Sequence, residues 1–394
     1  MVYYCIFDSM AKLTNDEHIR YSRHLVLDEF GLNGQLKLKK SKVLVVGAGG
    51  LGSPALLYLT AAGIGTIGIV DSDNVDLTNL QRQVIFTTED VGKNKSEASA
   101  ARLKLLNPLL QFNTYPVKLT AANAVEIMQD YDVILDGTDN FPTRYLLNDA
   151  CVLLHKPLIY GSILKFEGQV AVFNHKEKNG AYSANYRDLF PSPPEPESVP
   201  DCSQAGVLGV LPGMIGSMQA TEAIKVITGI GSPLAGKLAL FDALSMEMTI
   251  ITIPERGARL GIKSLIDYDD FCGINPEKNK SLTLDKKTSM KEITVQELEK
   301  LKESGADFQL VDVRELHEFD ICDLGGELIP LGEIPSNVDK ISKDKQVVVH
   351  CRSGKRSGDA IAWLEKNHGF ENLYNLKGGI LAWAKEIDSD MPTY

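Results

Sequence analysis

Three groups of residues combine types and spacings that can do chemistry. The first is Gly47-Ala48-Gly49-Gly50-Leu51-Gly52, a G-x-G-x-x-G run between an apolar segment and a helix-forming one. Glycines let backbone N–H groups approach a phosphate, and the start of the next helix adds partial positive charge. Asp71 ends the following apolar run, where a ribose hydroxyl can be accepted. The polar segment 73–83, DNVDLTNLQRQ, opens with Asp73 and carries Arg82, which can neutralise a phosphate oxygen. Lys95 opens a helix within reach of the same phosphates, and Asp139 follows a third apolar run, placed to hold magnesium. Two cations and a carboxylate around a glycine loop suit phosphoryl or nucleotidyl transfer better than hydride transfer. For the glycine loop alone, a nicotinamide or flavin dehydrogenase and a ligand-free turn remain as alternatives. The second group is Cys351-Arg352-Ser353-Gly354-Lys355-Arg356-Ser357. A thiol below a loop of N–H groups and beside a helix start is expected to be a stabilised thiolate, in a cradle for a phosphate or a persulfide. The third is Cys202, just beyond the proline-rich segment PSPPEPESVP at 191–200. It is either a thiol carried on a loop towards an activated carbonyl or a packed core cysteine.

The elements that must position these groups follow from hydrophobic patterning. Continuous apolar runs at 43–46 and 67–70 read as strands buried on both faces, with a helix at 53–62 between them. That is a βαβ unit with a right-handed crossover. A helix at 95–106, strands at 133–135, 158–160 and 170–173, and an apolar helix at 213–228 extend it. Residues 1–274 are therefore expected to form one α/β domain with a mostly parallel sheet. The lysine-rich stretch 275–289 reads as a linker. Residues 290–394 read as a smaller α/β domain, with helices at 295–302 and 359–366, strands at 308–311 and 347–350, and a last helix opening at 376–379. A chain of 394 residues is long enough for two cores.

Composition narrows the classes. A net charge of -11 argues against nucleic acid, which needs basic clusters, and no apolar run is long enough for a membrane span. The first residues lack the order of a secretory signal, so a cytoplasmic location is expected. Six cysteines without a CxxC pair make neither a disulfide scaffold nor a usual zinc site.

The motifs together also carry a resemblance. RYSRH (20–24), GAGGLG, DxDxVDLTNLQRQ, VGKNKSEA, GTDNFPTRYLLND and CSQAGVLGVLPGMIGSMQATEAIK resemble the E1-like adenylyltransferases of the ThiF/MoeB type over residues 10–273. These enzymes serve molybdopterin (molybdenum cofactor) and thiamine biosynthesis, and ubiquitin-activating enzymes are relatives. The resemblance implies a Rossmann-like E1 domain that uses ATP to adenylate the C-terminal glycine of a ubiquitin-like sulfur-carrier protein ending in Gly-Gly. It implies that Gly47, Gly49, Gly50, Gly52, Asp71 and Asp73 belong to the ATP site. Asn79, Arg82 and Lys95 are implied at its ribose and phosphates, and Asp139 at magnesium. It implies that Arg23 reaches the site of a second subunit, hence a homodimer. A cysteine matching Cys202 links covalently to the carrier in related enzymes. Many members bind zinc through two CxxC pairs; here those places read Asn185…Asp188 and Asp269…Cys272, so no structural zinc is expected and Cys272 reads as a buried thiol. Residues 290–394 resemble a rhodanese domain through LVDVRELHEF, VVVHCRSGKRS and LKGGILAW. That implies sulfur carried on Cys351 from a persulfide or thiosulfate donor, with Asp312 and Arg314 bracing the fold. The two resemblances together imply a carrier thiocarboxylate as product, and set aside hydride transfer, a conjugation pathway and a non-catalytic scaffold.

Overall fold

The computed structural model describes residues 12–194, 206–273 and 290–393. The expected linker at 275–289, most of the proline-rich segment and Cys202 lie outside the described residues. The chain divides into two compact units, Met1–Lys278 and Asn279–Tyr394, each taken by itself below.

In the first unit the alternation of side chains along a strand sets the layers. Strands β1 (Lys42–Val46) and β2 (Thr66–Val70) carry apolar residues at nearly every position. Val43, Val45, Ile67 and Ile69 therefore face one core, with Leu56 and Leu59 of a helix over Gly52–Ala62 and Leu103 of one over Lys95–Leu106. Leu44, Val46 and Val70 face the other, with Tyr145, Leu146 and Leu147 of a helix over Phe141–Leu154. Covering helices on both faces are what a continuous apolar strand requires.

Numbered in chain order, the helices are α1 (Asn15–Arg20), α2 (Ser22–Leu25), α3 (Gly31–Lys40), α4 (Gly52–Ala62), α5 (Lys95–Leu106), α6 (Ala124–Met128), α7 (Phe141–Leu154), α8 (Tyr186–Leu189), α9 (Leu211–Thr228) and α10 (Tyr268–Phe271). The remaining strands are β3 (Gln111–Tyr115), β4 (Val133–Asp136), β5 (Leu158–Leu164), β6 (Glu167–Phe173), β7 (Lys237–Asp242) and β8 (Glu247–Thr252). The sheet order is β3-β2-β1-β4-β5-β6-β7-β8. The pairings from β3 to β5 are parallel. Those from β5 to β8 are antiparallel. The order reverses between β1 and β4, which opens a crevice outside their carboxyl ends. Strands β3, β7 and β8 escaped the sequence reading. β3 is polar and half-buried, and every residue of β8 is exposed, so neither shows the patterning of a buried strand.

In the second unit, β9 (Glu292–Ile293), β10 (Phe308–Asp312), β11 (Glu327–Leu328), β12 (Gln346–His350) and β13 (Leu373–Leu376) form an all-parallel sheet ordered β11-β10-β12-β13-β9. Helices α11 (Val295–Glu303), α12 (Leu316–Phe319), α13 (Lys355–His368) and α14 (Gly379–Glu386) complete it. Helix α13 starts four residues before the expected 359, directly from the cysteine loop. Here the order reverses between β10 and β12, and Cys351 follows β12 at that point. Among the described residues no helix is long and apolar enough to cross a membrane.

Candidate active sites

The glycine loop is held by backbone. Gly47 N–H donates to Val70 O and Gly137 N–H to Val46 O, both at 2.8 Å, so the ends of β1, β2 and β4 are tied together. Gly47 has φ +91°, and a Cβ there would lie 2.7 Å from Gly137 O. A Cβ on Gly52 would lie 1.9 Å from Gly47 O. Gly52 thus closes the loop onto α4 and does not line the cleft.

A cleft of about 280 Å³ opens above these strand ends. Gly47, Gly49, Gly50, Asp71, Asp73, Arg82, Lys95 and Asp139 all line it. Asp71 accepts from Ala48 N–H at 2.8 Å and from Asp73 N–H at 2.9 Å. Burial nevertheless pushes its carboxyl above the usual aspartate range, because two donors do not replace lost water. Lys95 begins α5 after Asn94, whose side chain accepts from Ser96 and Glu97 N–H. Its ammonium is nearly buried and pairs with the exposed Asp73 carboxylate at 3.1 Å. Arg82 is half-buried and donates to Thr78 O at 3.3 Å. Asp139 is exposed, and among the described residues its carboxylate takes no hydrogen bond or ion pair. A partnerless carboxylate in a polar cleft is the hard oxygen donor that magnesium prefers, so the site fits that ion.

Besides Gly52, two expected residues are not brought to this cleft. Asn79 lies on a short turn after β2 and accepts from Asp76 N–H, closing its own turn. Arg23 is exposed on α2 and does not line the cleft of its own chain. Several lining residues went unrecognised as individuals: Lys118, Thr138, Asn140, Thr143 and Arg144. Asp136 ends β4 fully buried and accepts from Thr138 N–H at 2.9 Å and Thr138 O–H at 2.6 Å. These bonds shape the turn that presents Asp139. Arg144 reaches back from α7 to donate to Thr138 O at 3.3 Å, with its Nε 4.0 Å from Asp136. The signal was in GTDNFPTR: a cap at Asn140 places position 144 one turn into the helix, beside the strand end.

At the positions where a zinc site was weighed, the side chains are otherwise engaged. The Asp188 carboxylate accepts from Asn185 N–H and Nδ2–H at 2.9 and 2.7 Å, and from Arg256 and Ala258 N–H at 2.9 and 3.1 Å. Asp269 pairs with Lys118 at 3.1 Å. Burial pushes the Cys272 thiol up to about 11. These residues do not fit a zinc ion. The same region is joined instead by Arg187, which donates to both Asp149 oxygens at 2.7 and 2.8 Å and lies between the Tyr145 and Phe271 rings. Tyr268 O–H donates to Asp149 at 2.8 Å.

In the second unit Cys351 is 1% exposed. Its Sγ accepts from Gly354 N–H at 3.2 Å and lies 3.4 Å from the Ser357 hydroxyl oxygen. Asn375 locks the loop from β13: it accepts from Ser357 O–H at 2.7 Å and donates to Gly354 O at 2.9 Å. Gly379 lets α14 approach, because a Cβ there would lie 2.4 Å from Cys351 O. Arg352 on the loop and Lys355 at the start of α13 are exposed, whereas Arg356 is paired in two-point fashion with Glu318 at 2.6 and 2.7 Å. Arg356 therefore spends its charge on a carboxylate rather than adding it to the cradle. Asp312 and Arg314 are a fully buried pair at 2.6 Å, and Arg314 also donates to Glu318 O and Cys322 O. They brace the end of β10.

Comparisons with known proteins identify the family of each unit. The ThiF family profile matches residues 21–260, and the Rhodanese-like domain profile matches 294–386. A probable adenylyltransferase/sulfurtransferase MoeZ of Mycobacterium tuberculosis is 45% identical over 392 residues, 99% of this chain and 98% of that one. The adenylyltransferase and sulfurtransferase MOCS3 of Aedes aegypti is 43% identical, covering 97% and 90%. A sulfur carrier protein adenylyltransferase of Thermus thermophilus is 51% identical over 66% of this chain and 98% of its own. Among solved structures, PaaA (TM-score 0.53, 23% identity, 64% of this chain and 78% of that one) shares the fold. So does Escherichia coli MccB with ATP (TM-score 0.51, 23% identity, 60% and 72%). The chain belongs to the ThiF family, in the group whose members carry a rhodanese-like domain after the adenylyltransferase domain.

Proposed function

We propose that this enzyme adenylates the C-terminal glycine of a ubiquitin-like sulfur-carrier protein with ATP and then transfers sulfur to it, giving a thiocarboxylate for molybdopterin or a related sulfur cofactor such as thiamine. The observation that carries the reading is the pairing, in one chain 45% identical to an adenylyltransferase/sulfurtransferase along its length, of a phosphate-suited cleft with a cysteine held under loop donors. Adenylation is assigned to residues 1–274 and sulfur transfer to 290–394.

A carboxylate is a poor electrophile, so it must first be activated. The carrier carboxylate oxygen attacks the α-phosphorus, the bond to the β-phosphate breaks, and pyrophosphate leaves with the electron pair. Two anions must be brought together for this, and Lys95 and Arg82 screen them while the glycine loop orients the phosphates. Asp139 would hold magnesium, which when bound supplies charge neutralisation at the leaving pyrophosphate. In the second half, the outer sulfur of a Cys351 persulfide, loaded from thiosulfate or a protein persulfide, attacks the acyl carbon and AMP leaves. A thiol then attacks the Cys351 sulfur and releases the thiocarboxylate, and a further thiol reduces the disulfide formed. Cys202 is proposed as the thiol that links covalently to the carrier, as a thioester or acyl disulfide, before the thiocarboxylate is released. The exposed position of Arg23 supports its use across a homodimer; mixing Arg23→Ala and Asp139→Ala chains should then restore activity, and no rescue on proven mixing refutes it.

The test is exchange of labelled pyrophosphate into ATP. It should require magnesium and a Gly-Gly-ended carrier, and Asp139→Ala should abolish it in a folded protein. Exchange with a free amino acid and no carrier would overturn the reading.

A further inference from the structure

The Cys351 loop has the parts of an anion cradle: a strand-end thiol, backbone donors, a helix start and an arginine at its far end. A tetrahedral oxyanion such as phosphate would use that arginine as a two-point fork. In this chain Glu318 takes the fork first. Its two carboxylate oxygens accept from the two terminal nitrogens of Arg356 at 2.6 and 2.7 Å. Glu318 is 7% exposed and cannot easily swing aside. The same carboxylate accepts from Glu315 N–H at 3.0 Å, and its backbone carbonyl accepts from Arg314, which is itself bound to Asp312. The acceptor that engages Arg356 is thus anchored to the end of β10, independently of the loop.

We propose that Glu318 is a specificity-determining residue of the Cys351 site: by occupying the Arg356 fork it withholds the donors a phosphate needs and leaves a loop suited to a single sulfane sulfur. This rests on the sulfur-transfer reading above. In that reaction the Cys351 thiolate attacks the outer sulfur of thiosulfate, the S–S bond breaks and sulfite departs with the electron pair. Cyanide then removes the outer sulfur as thiocyanate and restores the thiolate. The loaded state carries one small sulfur and no oxyanion, so it needs the backbone donor at Gly354 and not the fork. Carboxylate and phosphate compete for the same guanidinium, and a carboxylate within the fold has the higher effective concentration.

The experiment uses the full chain and inorganic phosphate as the probe. Thiosulfate-to-cyanide transfer is measured against rising phosphate for wild type, Glu318→Ala, Glu318→Gln and Glu318→Ala/Arg356→Ala. The expected result is an inhibition constant for phosphate lowered by about tenfold or more in Glu318→Ala, a smaller drop in Glu318→Gln, and loss of the gain in the double variant. A purely bracing role for Glu318 would lower turnover without creating phosphate inhibition that depends on Arg356. Unchanged phosphate inhibition in both single variants, or wild type already inhibited as strongly, overturns the proposal. If Glu318→Ala does not fold, the isosteric Glu318→Gln decides by the same criterion. A wild type with no transfer activity would count against the sulfur-transfer reading instead. Phosphate protection of Cys351 from iodoacetamide, read by peptide mass, then decides on Glu318 without turnover: protection in Glu318→Gln and not in wild type supports it, equal protection overturns it.

Discussion

The nucleotide cleft and the Cys351 loop occupy equivalent places in two different sheets. Each lies beyond the carboxyl ends of parallel strands where the strand order reverses, β1 against β4 in one and β10 against β12 in the other. They differ in how their polar groups are committed. The cleft is open, Asp139 is uncommitted among the described residues, and Lys95 pairs with the exposed Asp73. The loop is closed around its thiol, with Sγ, Ser357, Asn375, Glu318 and Arg356 all joined to neighbours before any substrate arrives. A site for a large polyanion keeps charges ready to exchange partners. A site for one sulfur atom can be assembled in advance, because little has to move when it loads.

That contrast breaks most sharply at Cys351. Cys351→Ala should reduce thiosulfate-to-cyanide transfer to background while carrier-dependent pyrophosphate exchange stays within about twofold of wild type. Equal loss of both activities would show that the two sites do not work separately. Next comes Lys95→Met, which removes a buried cation from the open cleft and should lower kcat/KM of the exchange by about 10²–10³ with sulfur transfer unchanged. A loss below about tenfold would mean that Lys95 serves Asp73 rather than phosphate.

Stability sharpens the comparison further. Arg187→Met leaves Asp149 buried without its cation and should cost the first unit about 3 kcal/mol in urea unfolding. A chelator should leave the wild-type transition where it is; a chelator-induced drop would require a metal site built from other ligands.

The smallest effect is expected from pH in the second unit. His350 is fully buried beside Asp312 and Arg314, and burial lowers its pKa from 6.5 to about 4. Between those values the unfolded chain binds the proton and the folded one does not, so stability is lost as pH falls from about 6.5 towards 4 and is flat above that window. Both tryptophans, Trp363 and Trp383, lie in this unit, so their fluorescence follows its unfolding alone. His350→Leu should flatten the slope relative to wild type; parallel slopes would refute the assignment.

The sequence by itself determined the parts of the molecule that depend on near neighbours. Unbroken apolar runs at 43–46 and 67–70 had to be strands covered on both faces, and they are split between two cores. The glycine spacing had to make a turn too tight for side chains, and Gly47 with Gly52 show it. Residues just past strand ends had to point at one crevice, so Asp71, Asp73 and Asp139 were legible before any coordinates, and Arg82 and Lys95 were legible as cations on the polar segment and helix start that follow β2. The tertiary structure alone decided which charges are spent. Tyr268 meets Asp149 across 119 residues, and Arg356 meets Glu318 across 38, separations over which neither helix nor strand periodicity carries information. It also decided that Gly52 and Asn79 serve their own turns, and that β8 forms an exposed edge. Patterning acts within a few residues through backbone geometry and burial, whereas the partner of a buried charge depends on which strand ends the sheet topology brings together.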